Sequence, residues 1–130
     1  MFVYLICASL LIIKSGCIGI LLNHPPISCH LCTGPKTICE TAHAPRECGR
    51  HDEHFCINDI ENLPNGTRFV SRRCATEPEC IKDWIVDSFV LNECAHYSVD
   101  NLQMAHFVCS FCCKGENCNN ATVPTNLYKN

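Results

Sequence analysis

The stretch Cys112-Cys113-Lys114-Gly115-Glu116-Asn117-Cys118-Asn119 decides how the rest of the chain is read. Side chains alternate between faces in extended backbone, so Cys112 and Cys113 point apart and do not pair with each other. One of them bridges out to a distant segment. The other closes the short Lys114–Asn117 loop onto Cys118. The stretch therefore reads as a compact knot, to which the segments before it return.

Working outward, the cysteine count sets the class. Fourteen cysteines in 130 residues place the chain among disulfide scaffolds. Met1–Ile13 is an uncharged run ended by Lys14. It is shorter than the ~20 apolar residues of a membrane span and fits the core of a secretory signal peptide. Cys17 and Gly19 stand at −3 and −1 of a cut after Gly19, so residues 1–19 are expected to be removed. Cys7 and Cys17 leave with them, and an even set of twelve cysteines remains, as a secreted chain without stray thiols requires. Passage through an oxidising compartment pairs them. With Lys14 gone the formal charge moves from −3 to −4. No basic surface for nucleic acid or polybasic patch for anionic lipid is present. Bridges replace a large core, each contributing about 2–4 kcal/mol.

Residues 20–28, with Pro25-Pro26, form an extended lead-in, and Cys29-His30-Leu31-Cys32 opens the knot. Ile38–Gly49, polar and holding Pro45, reads as a short first finger with little regular structure. Phe55–Ile60 and Thr67–Arg73 read as the strands of a second finger around Asn65-Gly66, the strongest short turn signal. Arg72 and Arg73 read as solvated strand residues. Cys80 to Cys112 is the longest finger. Asp83–Leu91 reads as a strand, Tyr97–His106 as one helical turn capped by Ser98 with Leu102 and Phe107 facing in, and His106–Cys112 as the returning strand. Residues 120–130 are polar and are expected to be disordered.

With Cys-x2-Cys at its start (Cys29, Cys32) and Cys-Cys-x4-Cys-Asn at its end (Cys112 to Asn119), the chain resembles the lymphocyte-antigen-6/urokinase-receptor (UPAR/Ly-6) three-finger family over Cys29–Asn119. The resemblance implies a small disulfide-rich all-β, snake-toxin-like fold, with three β-hairpin loops projecting from a disulfide hub. It implies the pairs Cys29–Cys56, Cys32–Cys39, Cys48–Cys74, Cys80–Cys112 and Cys113–Cys118. Cys94 and Cys109 remain, inside the third finger, and are expected to pair with each other. Asn119 is expected to hydrogen-bond into the hub. Many family members exchange an apolar C-terminal tail for a GPI anchor. Residues 120–130 lack such a tail, so no anchor and no integral membrane segment is expected after signal cleavage.

Other motifs weigh less. Cys29-x2-Cys32 with Cys109-x2-Cys112 matches four-cysteine zinc spacing, but oxidation behind a signal peptide favours bridges over metal. His43, His51 and His54 match no ligand set. His51-Asp52 lacks the calcium loop and neighbouring cysteines of secreted phospholipases. Ser71, Ser88, Ser98 and Ser110 stand in no nucleophile elbow. No enzyme and no cofactor is expected. Asn65-Gly66-Thr67 and Asn120-Ala121-Thr122 are N-glycosylation sequons, and a sugar at Asn65 would make the second fingertip a poor plug for a receptor pocket. Trp84 and Phe89 are candidates for an exposed contact surface on the third finger. The expected function is that of a secreted, extracellular binding protein. It would act as a ligand or modulator of a cell-surface receptor, with nicotinic-type channels the leading family-based case, or as a cell-recognition factor. The alternative is a soluble trap for a growth-factor-like ligand, similar to activin-receptor ectodomains.

Overall fold

A computed structural model describes residues 25–129; the expected signal peptide and most of the lead-in lie outside the described residues. The chain order is β1 (Ser28–Pro35), α1 (Lys36–Cys39), β2 (Ala44–Glu47), β3 (Phe55–Asn62), β4 (Arg68–Ala75), α2 (Glu77–Cys80), α3 (Ile81–Ser88), α4 (Asn92–Ala95) and β5 (Phe107–Lys114). The strands form one antiparallel sheet in the order β2-β1-β4-β3-β5. With six disulfides among the described residues, it is a small disulfide-rich all-β fold.

The central ribbon is the second finger. Its register runs from Phe55 opposite Ala75 to Asn62 opposite Arg68. Gly66 adopts φ 81°, the left-handed turn conformation that Gly tolerates without steric cost. A Cβ there would also stand 2.4 Å from Leu102 Cδ1, because the third finger folds over this tip. Finger one is more regular than its composition implies. β2 pairs with β1, Ser28 opposite Glu47 and Leu31 opposite Ala44, and a helical turn occupies the tip.

The third finger departs from a hairpin. The apolar residues expected to form a strand over Asp83–Leu91 wind instead into α3, a π-helix. Thr76 and Glu79 form a reciprocal capping box ahead of it, satisfying otherwise orphaned helix donors. From that cap, Ile81, Trp84, Ile85 and Ser88 recur at helical spacing, and Trp84 and Ser88 are buried. The wide turn closes at Phe89 N–H, which donates to Trp84 O at 2.8 Å. Ser88 Oγ donates to Asp83 O and accepts from Ser110 N–H of β5 at 2.8 Å. The helical turn expected over Tyr97–His106 sits earlier, at Asn92–Ala95, and Leu102 points out, 71 % exposed, whereas Phe107 is buried. β5 returns as expected and pairs with β3 from Phe55↔Lys114 to Asn62↔Phe107.

The segment after Asn119 is not disordered through residue 129. Leu127 bridges to Cys113, Tyr128 N–H donates to Cys112 O at 2.7 Å, and Trp84 Nε1–H donates to Tyr128 O at 2.8 Å. Val123, Leu127 and Tyr128 pack against the core. An uncovered strand edge exposes unpaired backbone groups, and this segment with α3 covers the outer edge of β5.

Candidate functional site

The knot comes first, because every finger leaves from it. Cys29–Cys56, Cys48–Cys74 and Cys113–Cys118 cluster around Cys29, Cys48, Cys56 and Cys113. Cys80–Cys112 ties α2 to β5, Cys32–Cys39 closes finger one, and Cys94–Cys109 joins α4 to β5. These are the pairs that the resemblance implies, together with the pair left over in finger three. The sulfurs of Cys29, Cys48 and Cys74 lie within 4.8 Å of one another. All three are disulfide-bonded, and a disulfide sulfur is not the thiolate that metal ligation needs.

Two cross-strand pairs on the central ribbon do what the sequence did not reveal. Register places Asn58 opposite Arg72 and Asn62 opposite Arg68, on one face with Ile60 and Val70. At the hub end, Asn58 Nδ2 donates to Ala121 O at 2.7 Å and Thr122 O at 3.1 Å. Arg72 Nη1 donates to the carbonyls of Asn119 and Asn120. Asn119, fully buried, completes this clamp. Its Oδ1 accepts from His30 N–H at 2.8 Å, and its Nδ2 donates to His30 O at 3.0 Å and Asn58 Oδ1 at 3.1 Å. At the tip end, Asn62 Nδ2 donates to Gln103 O at 2.8 Å and Ala105 O at 2.5 Å. Arg68 Nε–H donates to Asn62 Oδ1, and Nη1 to Ser98 O and Val99 O. Nη2 donates to Asn101 O. The guanidinium lies 5.0 Å from the centre of the Tyr97 ring.

Arg72, expected to be solvated, is 2 % exposed. Burial holds its pKa below the ordinary arginine value, since a desolvated cation is disfavoured. Among the described residues Arg68 and Arg72 form no direct ion pair; carbonyl dipoles satisfy both, and Glu40 favours the charged Arg72 from a distance. Arg73 faces the opposite side. It meets Asp59 at 3.0 Å and Asp83 at 2.9 Å, and thereby ties α3 to the sheet. Burial alone would lower its pKa, but these carboxylates outweigh it and raise it.

His30 and His43 meet ring to ring, Nδ1 to Nδ1 at 2.7 Å. Burial lowers both pKa values, with Arg72 lowering both and His43 further lowering that of His30. A histidine whose folded pKa lies below its unfolded value of 6.5 binds more protons when unfolded. The native state is therefore fully favoured above pH 6.5 and loses this contribution as pH falls through the lowered folded values. Thermal unfolding should shift to lower temperature as pH falls from 6.5 toward the lowered folded values. A His30→Gln/His43→Gln variant should flatten the slope in that window, leaving the carboxylate-driven loss below it, to which Glu79 with its lowered pKa contributes. An unchanged slope would show that the pair is not the source.

Of the two candidate contact residues, Trp84 belongs to the core. It is 4 % exposed, tilted against Phe111 with ring centres 5.5 Å apart. Phe89 stands out, 57 % exposed, and edge-on to Trp84. Val86, Val90 and Leu91 are exposed beside it. Asn65 is exposed at the second fingertip, where its Oδ1 accepts from Thr67 N–H at 2.9 Å. Asn120 is exposed too, whereas Thr122 of its sequon is buried and donates to Glu40. Among the described residues no helix is long and apolar enough to cross a membrane. No family model matches the chain, and no curated protein matches it.

Proposed function

We propose that this protein is a secreted, non-enzymatic binding module of the UPAR/Ly-6 three-finger kind that engages a cell-surface receptor through its third finger. Six disulfides in so small a chain support an oxidising, extracellular setting. The observation that carries the contact surface is the run Val86, Phe89, Val90 and Leu91, 57, 57, 71 and 39 % exposed, on a segment tied at both ends by disulfides. Cys80–Cys112 holds one end and Cys94–Cys109 the other, with buried Trp84 beneath. A rigid apolar patch binds with less ordering cost than a mobile one, and aromatic residues are enriched at binding hot spots. A nicotinic-type channel is the leading partner class by resemblance to the family.

The experiment is capture by immobilised full-length protein from detergent-solubilised membranes and, separately, from conditioned medium. A receptor modulator retains a membrane protein, whereas a trap for a soluble growth-factor-like ligand retains its partner from the medium alone. Phe89→Glu/Val90→Glu should weaken the captured interaction about 30-fold or more, the effect expected of losing hot-spot contacts worth about 2 kcal/mol. Cys94→Ala/Cys109→Ala should still be secreted with the other five bridges, lose roughly 3 kcal/mol of stability and bind more weakly. Unchanged affinity in both variants would move the contact surface off finger three.

A further inference from the structure

A cavity of 460 Å³ opens between α3, α4, β5 and the C-terminal segment. Its walls are aromatic and aliphatic, with Trp84, Phe89, Tyr97, Phe111 and Tyr128 foremost, and among the described residues Lys129 is the one charged residue lining it. The rings are already set against one another. Trp84 meets both Phe89 and Phe111, and Tyr97 meets Phe111 at 5.5 Å between centres. The indole N–H, the polar group Trp84 brings, is engaged by Tyr128 O and is not available to a water in the cavity. A water needs two to four polar partners to be held, and the unpartnered hydroxyl of Tyr97 is one group, so such walls are better covered by hydrocarbon. The volume falls in the range of pockets that enclose small organic ligands.

The charge distribution narrows the occupant. A purely apolar ligand would ignore Lys129, and a cation would be repelled by it. We infer that the cavity binds a single-chain anionic amphiphile, its hydrocarbon among the Trp84, Phe111 and Tyr128 rings and its carboxylate at Lys129 Nζ. This goes beyond the receptor-binding reading and does not depend on it. Phe89 stands at the rim as well as in the exposed patch, so a bound chain would extend the apolar surface that finger three presents.

Trp84 is the chain's one tryptophan, so its emission reports occupancy directly. Full-length protein titrated with dodecanoate below its micelle concentration should show a saturable change in Trp84 emission, and equilibrium dialysis should give one site per chain. Dodecanol, of equal chain length and no charge, should bind about fivefold more weakly, and Lys129→Glu should weaken dodecanoate by a similar factor, the scale of one exposed ion pair. Ala95→Phe, which places a ring against the cavity wall on the short helix α4, should abolish the emission change while thermal unfolding stays within a few degrees of the parent. Failure of dodecanoate to saturate, equal binding of dodecanol, or full binding by Ala95→Phe would each overturn the inference. None of these outcomes bears on capture of a membrane protein by the Phe89 patch.

Discussion

Asn119→Ala is expected to cost about 3–4 kcal/mol of stability and to release the whole C-terminal segment. The amide makes three hydrogen bonds, two part-buried ones to the backbone groups of His30 and a buried one to Asn58 Oδ1. Truncation leaves Asn58 Oδ1 buried without its donor and both backbone groups of His30 short of a partner, at about 1–3 kcal/mol apiece before relaxation. The carbonyl of Asn119 also accepts from Arg72, so a displaced segment uncovers a buried guanidinium. The change should appear as a lower urea midpoint and as faster amide exchange at His30 and Tyr128. Amides of the β3–β4 ribbon around Ile60 should exchange as before once the global loss is subtracted. A loss below about 1 kcal/mol would mean that the disulfide Cys113–Cys118 holds the segment without help.

Arg68→Met should act at the other end of the ribbon with a comparable total, about 3 kcal/mol. Three carbonyls, of Ser98, Val99 and Asn101, lose a charged donor, and hydrogen bonds to charged groups contribute about 1.5–3 kcal/mol each. Methionine repacks the aliphatic stem and removes a desolvated charge, which offsets part of the loss. Limited proteolysis should then cut within residues 98–105 well before any other site. Arg68→Lys should resemble Arg68→Met rather than the parent, because an ammonium cannot reproduce the planar fork that reaches Asn62 and three carbonyls together. Parent-like resistance in Arg68→Lys would show that charge alone fastens the loop.

How much of this was legible beforehand depends on the range of the interaction. The knot and the second finger were readable because cysteine spacing and Asn65-Gly66 are local signals. The helix α3 was readable too and was misread. Its run of Trp84, Ile85, Val86, Phe89 and Val90 has strand-like composition, but Thr76-Glu77-Pro78-Glu79 before it is a helix start, and that signal outranks the propensity of the residues that follow. The two arginines were not readable. Arg72 and Arg73 are neighbours with opposite fates, one buried under the C-terminal segment and one ion-paired to Asp59 and Asp83. Only strand register decides which face each takes. The order of residues 120–129 was hidden for a related reason. Their partners, the outer edge of β5 and the Asn58–Arg72 pair, exist only after the sheet has formed.

The clamps on the central ribbon grip main-chain oxygens. Arg68, Asn62, Arg72 and Asn58 donate to the carbonyls of residues 98, 99, 101, 103, 105 and 119 to 122. Every amino acid supplies that oxygen, proline included. The attachment of the 98–105 strap is therefore indifferent to most of its own side chains, and Asp100, Leu102 and Met104 are exposed, Leu102 and Met104 lying over Gly66. A lineage, or a designer, can rewrite those outward positions while the strap stays docked on the one cross-strand pair, Asn62 and Arg68. Two residues of one hairpin thus hold a variable cassette in place without dictating what it says.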